Sequence, residues 1–388
     1  MTSIDQSDLS PANRGLDREL VDDLRGRVTY AIEKGPLRSI QIAVARDGQL
    51  ALFETFGEAD NETRFNIYSC TKPIVASAIW KLMGQGAIEV DRLVSDYFPE
   101  FAGQGKERVT VEQVMCHTAG FAQAPMGPPQ WWRRDDRIEQ MRRWHLDWEP
   151  GSQYTYHPTS AHWVLAELIE RCSACDYRQY INKHILDPLG LKALRLGVSP
   201  KEQDDIATLE HVGESPTSEE LAQVFGSTVN WPDMVDDSLL MFNDPQVRAL
   251  GVPGGGAVST AADLAMFYQA LIHNREGLWQ RDLLADATGR VRVDFPDPMT
   301  GVPANRGLGV VIAGSGPKAR YRGMGQSVSA GAFGHQGVGG QVAWGDPGTG
   351  LSFCLLTNGL DINPIRSARF SAGVNNRAGA CARVGEGE

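Results

Sequence analysis

The sequence is poor in the features that mark several large classes of protein. Only six of its 388 residues are cysteines, too few for the disulfide framework of a small secreted domain. No apolar run approaches the roughly 20 residues that a helix needs to span a bilayer. The first residues are polar and lack the basic start and apolar centre of a signal peptide. We therefore expect a cytoplasmic protein without membrane contact.

Positive charge is also scarce: the 37 Lys and Arg residues are outnumbered by 48 Asp and Glu residues, which gives a net charge of −11. A nucleic-acid-binding protein needs a basic face, so we expect no nucleic-acid partner. The G-x-S-x-G and H-E-x-x-H motifs are missing, and His157 and His162 do not share a helix face, so no metal site is predicted. Cys172 and Cys175 form a single C-x-x-C, which favours a structural role.

Two kinds of hydrophobic periodicity are present, and they change along the chain. Strand patterns at 39–45 and 50–56 flank the hairpin signal Asp47-Gly48, and others recur at 307–313, 331–335, 341–345 and 352–357. Helical patterns fill 16–34, 71–84 and much of the middle, while 197–250 is weakly patterned. We predict one unit over residues 1–388, with a sheet from about 16–70 and 250–370 and a mostly helical region at about 71–250. After residue 363 only a brief helix is expected.

An S-x-x-K motif at residues 69–72 follows a strand-like segment and opens a predicted helix. Helical spacing places Ser69 and Lys72 on one face, and the helix N-terminus favours negative charge developing at the serine. A lysine can act as a base only if its pKa is lowered, and the apolar helix predicts its burial. The motif alone is weak, because Ser315 and Lys318 form a second copy in a Gly/Pro loop. A surface serine beside a surface lysine stays the alternative.

Five sequence blocks give the motif a context. They are RFNIYSCTKP at 64–73, VTVEQVMCHTAG at 109–120, EPGSQYTY at 149–156, GGGAVSTAAD at 254–263 and GHQGVGG at 334–340. In this order they resemble the β-lactamase-related, penicillin-recognising serine hydrolases over roughly residues 20–360. The resemblance implies an α/β (α+β) fold of the serine β-lactamase/transpeptidase type: an antiparallel sheet flanked by helices, plus a mostly helical region.

The resemblance also implies roles for individual residues. Ser69 would be the nucleophile, and Lys72 and Tyr156 would share general acid–base work. The backbone N–H groups of Ser69 and Val338 would form the oxyanion hole, and Gly337 would line the substrate site. No cofactor is implied. For Tyr156, an ordinary core tyrosine is the alternative.

Two departures bear on the substrate. The family's lactamases have Tyr-x-Asn, whereas Tyr156 is followed by His157 and Pro158. Their Lys-Thr-Gly motif begins here with His335, which is either a substrate contact or a structural residue and is mostly neutral near pH 7. Both changes resemble the family VIII carboxylesterases and predict hydrolysis of small carboxylic esters. The alternatives are an amide, as in a β-lactam or a D-amino-acid peptide, and a non-catalytic binding protein of unknown oligomeric state.

Overall fold

The computed structural model describes residue 9, residues 12–225 and residues 236–382. Its helices are α1 Arg18–Lys34, α2 Thr71–Gly84, α3 Val94–Tyr97, α4 Val111–Met115, α5 Arg134–Arg143, α6 Ser160–Ser173, α7 Tyr177–Ile181, α8 Ser218–Phe225, α9 Pro245–Leu250, α10 Ala261–His273, α11 Arg281–Gly289 and α12 Pro364–Ala380. Its strands are β1 Ser39–Arg46, β2 Gln49–Gly57, β3 Phe65–Asn66, β4 Arg195–Leu196, β5 Glu210–Val212, β6 Ala257–Ser259, β7 Val311–Ile312, β8 Phe333–Gln336, β9 Val342–Asp346, β10 Leu351–Thr357 and β11 Gly359–Asp361.

The main sheet joins the two ends of the chain. Its six strands run in the order β2-β1-β10-β9-β8-β7, and every neighbouring pair is antiparallel. In the register of β1, Ile42 lies between Glu54 of β2 and Leu355 of β10. Asp47 and Gly48 make the predicted hairpin turn with positive φ angles of 52° and 76°. The predicted antiparallel sheet built from both chain ends is confirmed.

Side-chain alternation along the strands separates two hydrophobic cores. Ile40, Ile42 and Val44 of β1 point into the core formed with α1 and α12. Ala43 points to the opposite face, which α10 covers and where the largest core continues into α2 and α6. Helices therefore pack on both faces of the sheet, as the predicted α/β (α+β) fold requires.

The middle of the chain is mostly helical in the part that the structure describes. α2 is buried on nearly every side and packs against α6. A small antiparallel sheet, in the order β3-β6-β4, lies at its N-terminus, and β5 pairs with β11. The weakly patterned stretch at 197–250 contains β5, α8 and α9, and its residues 226–235 lie outside the described residues. The predicted boundaries near residues 71 and 250 stay predictions.

Two expectations about the last third were wrong. The helix after Asn363 is not brief but spans 17 residues as α12, because Phe370 and Val374 bury against α1 and the Asn363 side chain caps its start. The strand predicted at 307–313 is reduced to β7. Gly309 has a φ of 80°, and a Cβ there would lie 2.4 Å from the Ala76 side chain. The segment around Gly309 therefore forms a loop that lies close against α2 instead of a strand.

No helix among the described residues is both long and apolar enough to cross a membrane.

Candidate active site

Ser69 lies in a tight turn between β3 and α2. Its neighbour Tyr68 has a φ of 44°, in the left-handed region that non-glycine residues rarely adopt. The Asn66 side chain accepts a hydrogen bond from the Tyr68 N–H (3.1 Å), and Ile67 N–H donates to Ala257 O of β6 (3.0 Å). These bonds hold the strained turn in place, and Ser69 is left half-buried at the start of α2.

Lys72 lies one helical turn beyond Ser69, as the motif predicts. Its Nζ is 3.0 Å from Ser69 Oγ and donates to two backbone carbonyls, Pro158 O at 2.8 Å and Gly254 O at 2.7 Å. A Cβ on Gly254 would lie 2.8 Å from Pro158 O and 3.5 Å from Lys72 Nζ. A glycine is therefore needed where the two carbonyl-bearing segments close around the amine.

The electrostatic surroundings of Lys72 favour its neutral form. The side chain is fully buried, and no carboxylate of the described residues forms an ion pair with it. Burial, with a smaller contribution from the positive charge of Arg306, holds the pKa of Lys72 well below its usual range. An amine in this state can accept a proton from the adjacent serine hydroxyl.

Tyr156 approaches Ser69 from the segment that follows α5. Its hydroxyl donates to Ser69 Oγ at 2.9 Å, and its ring lies 5.0 Å from Lys72 Nζ. Burial raises the pKa of Tyr156, so the phenol keeps its proton. The ring packs on His117, with centroids 4.9 Å apart. Lys72 and Tyr156, predicted from two separate blocks, thus meet at one oxygen atom, Ser69 Oγ.

The end of β8 closes the site on its other side. Cys70 Sγ donates to His335 O (3.2 Å), and a Cβ on Gly337 would lie 2.6 Å from Ile67 O. The strand can approach the Ser69 turn this closely because Gly337 has no side chain. Val338 follows in an exposed turn. The oxyanion hole expected from the backbone N–H groups of Ser69 and Val338 stays a prediction.

The His335 side chain turns inward. Its Nδ1 lies 2.6 Å from Gln336 O and its Nε2 lies 3.3 Å from an Nη1 of Arg306. A guanidinium can only donate, so Nε2 is the acceptor and Nδ1 carries the proton. Burial and the nearby Arg306 hold the pKa of His335 well below its usual range, so the ring is neutral. His335 therefore does not replace the family's lysine as a charge.

Arg306 is a residue of the site that the sequence reasoning missed. Its guanidinium donates to the Tyr154 hydroxyl through Nε (3.0 Å) and Nη2 (2.6 Å), and its Cζ lies 5.4 Å from the Tyr156 ring. It is 7% exposed. It restores a permanent cation beside His335. No motif signalled it, because Arg306 stands in a glycine-rich loop segment without hydrophobic periodicity.

The residues after Tyr156 do not imitate the missing asparagine. The His157 ring accepts a hydrogen bond from Phe121 N–H through Nε2 (3.3 Å), and its Nδ1 lies 2.7 Å from Thr155 O. Burial lowers the pKa of His157 to about 4. Pro158 contributes only its carbonyl, to Lys72. The family's amide side chain therefore has no counterpart on this segment.

The other histidines and the second S-x-x-K form no hydrogen bond with Ser69 among the residues that the structure describes. His117, which packs on the Tyr156 ring, and His162 are buried, and no group of His, Cys, Asp and Glu within the described ranges could hold a metal ion. Ser315 and Lys318 of the second S-x-x-K are both exposed and form no hydrogen bond with each other in the part of the chain described. Only the copy on α2 has the helical geometry that the chemistry needs.

Comparison with known proteins agrees with this architecture. A family model described as Beta-lactamase matches residues 20–373. The esterase/β-lactamase LipL of Mycobacterium tuberculosis is 27% identical over 350 residues, 84% of this chain and 77% of LipL. A penicillin-binding protein homologue from Caulobacter crescentus superposes with a TM-score of 0.75 at 24% identity, covering 94% of this chain and 99% of that chain. A family VIII carboxylesterase gives a TM-score of 0.75 at 21% identity, with coverages of 94% and 99%.

The resemblance inferred from the five ordered blocks is therefore confirmed by a family match over most of the chain and by the shared fold. The chain belongs to the β-lactamase family and is a serine hydrolase of that family.

Proposed function

We propose that this chain hydrolyses small carboxylic esters through an acyl-enzyme on Ser69. The observation that carries the proposal is the convergence of two groups of opposite proton-transfer character on one oxygen. Lys72 Nζ lies 3.0 Å from Ser69 Oγ, and its lowered pKa favours the neutral amine. The Tyr156 hydroxyl lies 2.9 Å from the same oxygen, and its raised pKa favours the protonated phenol. Such a pair can deprotonate a nucleophile and protonate a leaving group.

In the first step, Ser69 Oγ attacks the ester carbonyl while its proton passes to Lys72 Nζ. The carbonyl oxygen becomes an oxyanion, which the backbone N–H groups of Ser69 and Val338 would stabilise. When the carbon–oxygen bond to the alcohol breaks, Tyr156 gives its proton to the departing alkoxide. Tyr156 then regains a proton from the Lys72 ammonium.

In the second step, water attacks the acyl group on Ser69. Its proton passes to Lys72, and the carboxylic acid leaves as the Ser69 oxygen regains a proton. The same two side chains thus serve both half-reactions. The balance needs only water and the ester.

The preference for esters rests on what flanks the nucleophile. An alkoxide leaves more readily than an amine, so an ester depends less on substrate positioning before the bond breaks. The segment after Tyr156 offers no side-chain amide to hold an acyl-amide group, because His157 binds Phe121 and Thr155 instead. His335 is neutral and faces Arg306 rather than the opening of the site. Together these features support a small, neutral ester.

The substrate pocket would include the segment just before α9. A 3₁₀ helix at Asp237–Asn243 lies against the nucleophile turn, where the Tyr68 hydroxyl donates to Leu239 O (3.1 Å). The Phe242 ring packs edge-on against Tyr68, with centroids 5.3 Å apart. Apolar walls of this kind accept an acyl or alkyl group.

Arg306 favours a second candidate function, hydrolysis of an amide that carries a carboxylate. A buried guanidinium without an acidic partner among the described residues suits an anionic substrate such as a β-lactam or a D-amino-acid peptide. The cation that His335 fails to supply would then come from Arg306.

Parallel assays of p-nitrophenyl butyrate and nitrocefin with the wild-type chain and a Ser69→Ala variant would test both candidates. We expect turnover of the ester, at least about 10³-fold loss in Ser69→Ala, and little turnover of nitrocefin. Ser315→Ala is the matched control, because Ser315 belongs to the second S-x-x-K motif, and it should keep wild-type activity. Full activity of Ser69→Ala would refute the nucleophile, and faster turnover of nitrocefin than of the ester would favour the amide candidate.

A further inference from the structure

Arg306 is one of two buried arginines without an acidic partner among the described residues, and unlike the other, Arg248, it lies over the Tyr156 ring. Arg64 pairs with Asp205, Arg137 faces Glu170, and the Arg292 side chain lies between two carboxylates. Arg306 instead donates to a phenol, Tyr154, and to a neutral imidazole, His335. A buried charge without a counter-ion is costly, and no carboxylate weakens its effect on neighbouring groups.

The place where that charge acts is the ring of Tyr156. Arg306 Cζ lies 5.4 Å from the centre of this ring, and Lys72 Nζ lies 5.0 Å from the same centre. The guanidinium and the amine thus share one aromatic neighbour, and neither has a carboxylate within ion-pair distance in the described ranges. If Lys72 were protonated, nothing in this set would neutralise the repulsion between the two positive charges.

We propose, resting on the function above, that Arg306 is a positioning residue that keeps Lys72 deprotonated and His335 in a single neutral tautomer. Tyr154 anchors the guanidinium through two hydrogen bonds, so the positive charge has a fixed place. The charge lies beside the ring that the amine also approaches, and the Arg306 Nη1 acts directly on His335 Nε2.

The other titratable groups around Lys72 carry no permanent charge. They come from every element packed against it: Cys70 on the nucleophile turn, His117 after α4, Tyr154 and Tyr156 before α6, His162 on α6 and His335 on β8. Burial lowers the pKa of each histidine and raises that of Cys70 to about 12, so all of these groups are neutral near pH 7. Arg306 is thus the one fixed charge in this set.

The direction of the effect follows from the sign of the charge. A positive neighbour disfavours protonation, and Arg306 is among the causes that lower the pKa values of both Lys72 and His335. Without it, Lys72 would hold its proton to a higher pH. The acid limb of the kcat/KM profile, where activity is lost as Lys72 becomes protonated, would then move to higher pH.

The test is the pH profile of kcat/KM on p-nitrophenyl butyrate, a neutral ester, for the wild type, Arg306→Lys and Arg306→Met. We expect Arg306→Met to shift the acid limb upward by at least about one pH unit. Arg306 Cζ and Lys72 Nζ lie 5.4 and 5.0 Å from one ring centre and so are at most about 10 Å apart, where two charges at an effective dielectric of 20 repel by about that much. The rate of this variant should fall at least about 10-fold on the acid side and recover on the alkaline plateau. Arg306→Lys should leave the limb close to that of the wild type.

The control is Arg248→Met, because Arg248 is also 7% exposed and also lacks an acidic partner among the described residues. It binds carbonyls near α9, away from Lys72. Its loss should change activity by the same factor at every pH. Repeating the Arg306→Met profile in a His335→Gln background shows which group causes the shift of the acid limb. The shift should persist there if it reflects the protonation of Lys72.

An unmoved acid limb in Arg306→Met, or a shift that vanishes in the His335→Gln background, would overturn the proposal. So would a defect confined to the KM of carboxylate-bearing substrates, since Arg306 would then contact the substrate itself. These results leave the Ser69 nucleophile untouched. That assignment fails only if Ser69→Ala keeps its activity.

Discussion

Two lysines of this protein are completely buried, and they illustrate what separates a structural amine from one placed to act as the proposed base. Lys72 donates to Pro158 O and Gly254 O, and its third oxygen neighbour is the Ser69 hydroxyl, 3.0 Å away. Lys106, in the helical region beside α5, also has three oxygen neighbours and also lies near an aromatic ring, in this case 5.5 Å from Phe101. Its acceptors are all backbone carbonyls: Gly103 O at 3.0 Å, Arg142 O at 3.2 Å, and Trp144 O.

The difference lies in one acceptor and one neighbouring charge. Burial lowers the pKa of both lysines, but Glu107 opposes the effect at Lys106, whereas Arg306 adds to it at Lys72. Lys106 ties its own turn to the end of α5 and has no reactive partner. Lys72 has a hydroxyl in place of the third carbonyl. Burial among carbonyls is therefore not enough to make a base: the hydroxyl and the neighbouring guanidinium distinguish the proposed catalytic site.

Exchanging each lysine for methionine should separate the two roles by the largest margin. Lys72→Met should lower kcat/KM on p-nitrophenyl butyrate by at least about 10³-fold, because Ser69 loses its base. Lys106→Met should leave the kcat of the folded protein near the wild-type value. It should reduce the free energy of unfolding by about 1–3 kcal/mol, because three buried carbonyls lose their donor. Ester kinetics and urea denaturation of both variants measure the contrast.

The comparison would fail if a fully folded Lys106→Met variant lost as much activity as a fully folded Lys72→Met variant. Both lysines would then act through the stability of the helical region, and the hydroxyl beside Lys72 would have no special role.

Tyr156→Phe tests the role of the Tyr156 hydroxyl, since no side-chain hydroxyl is bonded to Lys106 in the described ranges. It removes the donor to Ser69 Oγ, so we expect kcat on p-nitrophenyl butyrate to fall by about 10²- to 10³-fold. Tyr177→Phe is the matched control. Its buried hydroxyl donates to Leu250 O and Gly251 O, far from any reacting atom, so its loss should reduce stability by about 1 kcal/mol and spare kcat. Equal kcat for Tyr156→Phe and the wild type would remove Tyr156 from the proton path.

How much of the site the sequence could predict depended on how local each relation is. Ser69 and Lys72 are three residues apart on one helix, so their contact follows from helical geometry alone. Tyr156 was found through its sequence block. Arg306 could not be found in this way, because its partners Tyr154 and His335 lie 152 and 29 residues away along the chain and no periodic pattern links them.

The fold shows the same difference between local relations, which the sequence predicts, and long-range ones, which it does not. The β1–β2 hairpin was predictable because alternating residues flank an Asp-Gly turn, and α2 because an apolar helix follows a turn. The length of α12 was not, since its small and polar residues give a weak pattern. That helix extends because Phe370, Val374 and Ala378 fill a groove that α1 supplies from the other end of the chain.

The smallest expected effect concerns the glycines that present a carbonyl to each lysine. Gly254→Ala would place a Cβ 2.8 Å from Pro158 O, forcing apart the two carbonyls that hold Lys72 Nζ. A displacement of a fraction of an ångström from Ser69 Oγ should lower kcat/KM about 10-fold. Gly103→Ala meets no atom within 4 Å, but its φ of 99° strains an alanine, so it should reduce stability by about 1–2 kcal/mol without changing kcat. If Gly254→Ala instead lost only stability, the Lys72 pocket would tolerate movement as the Lys106 pocket does, and the position of the amine would not be what limits catalysis.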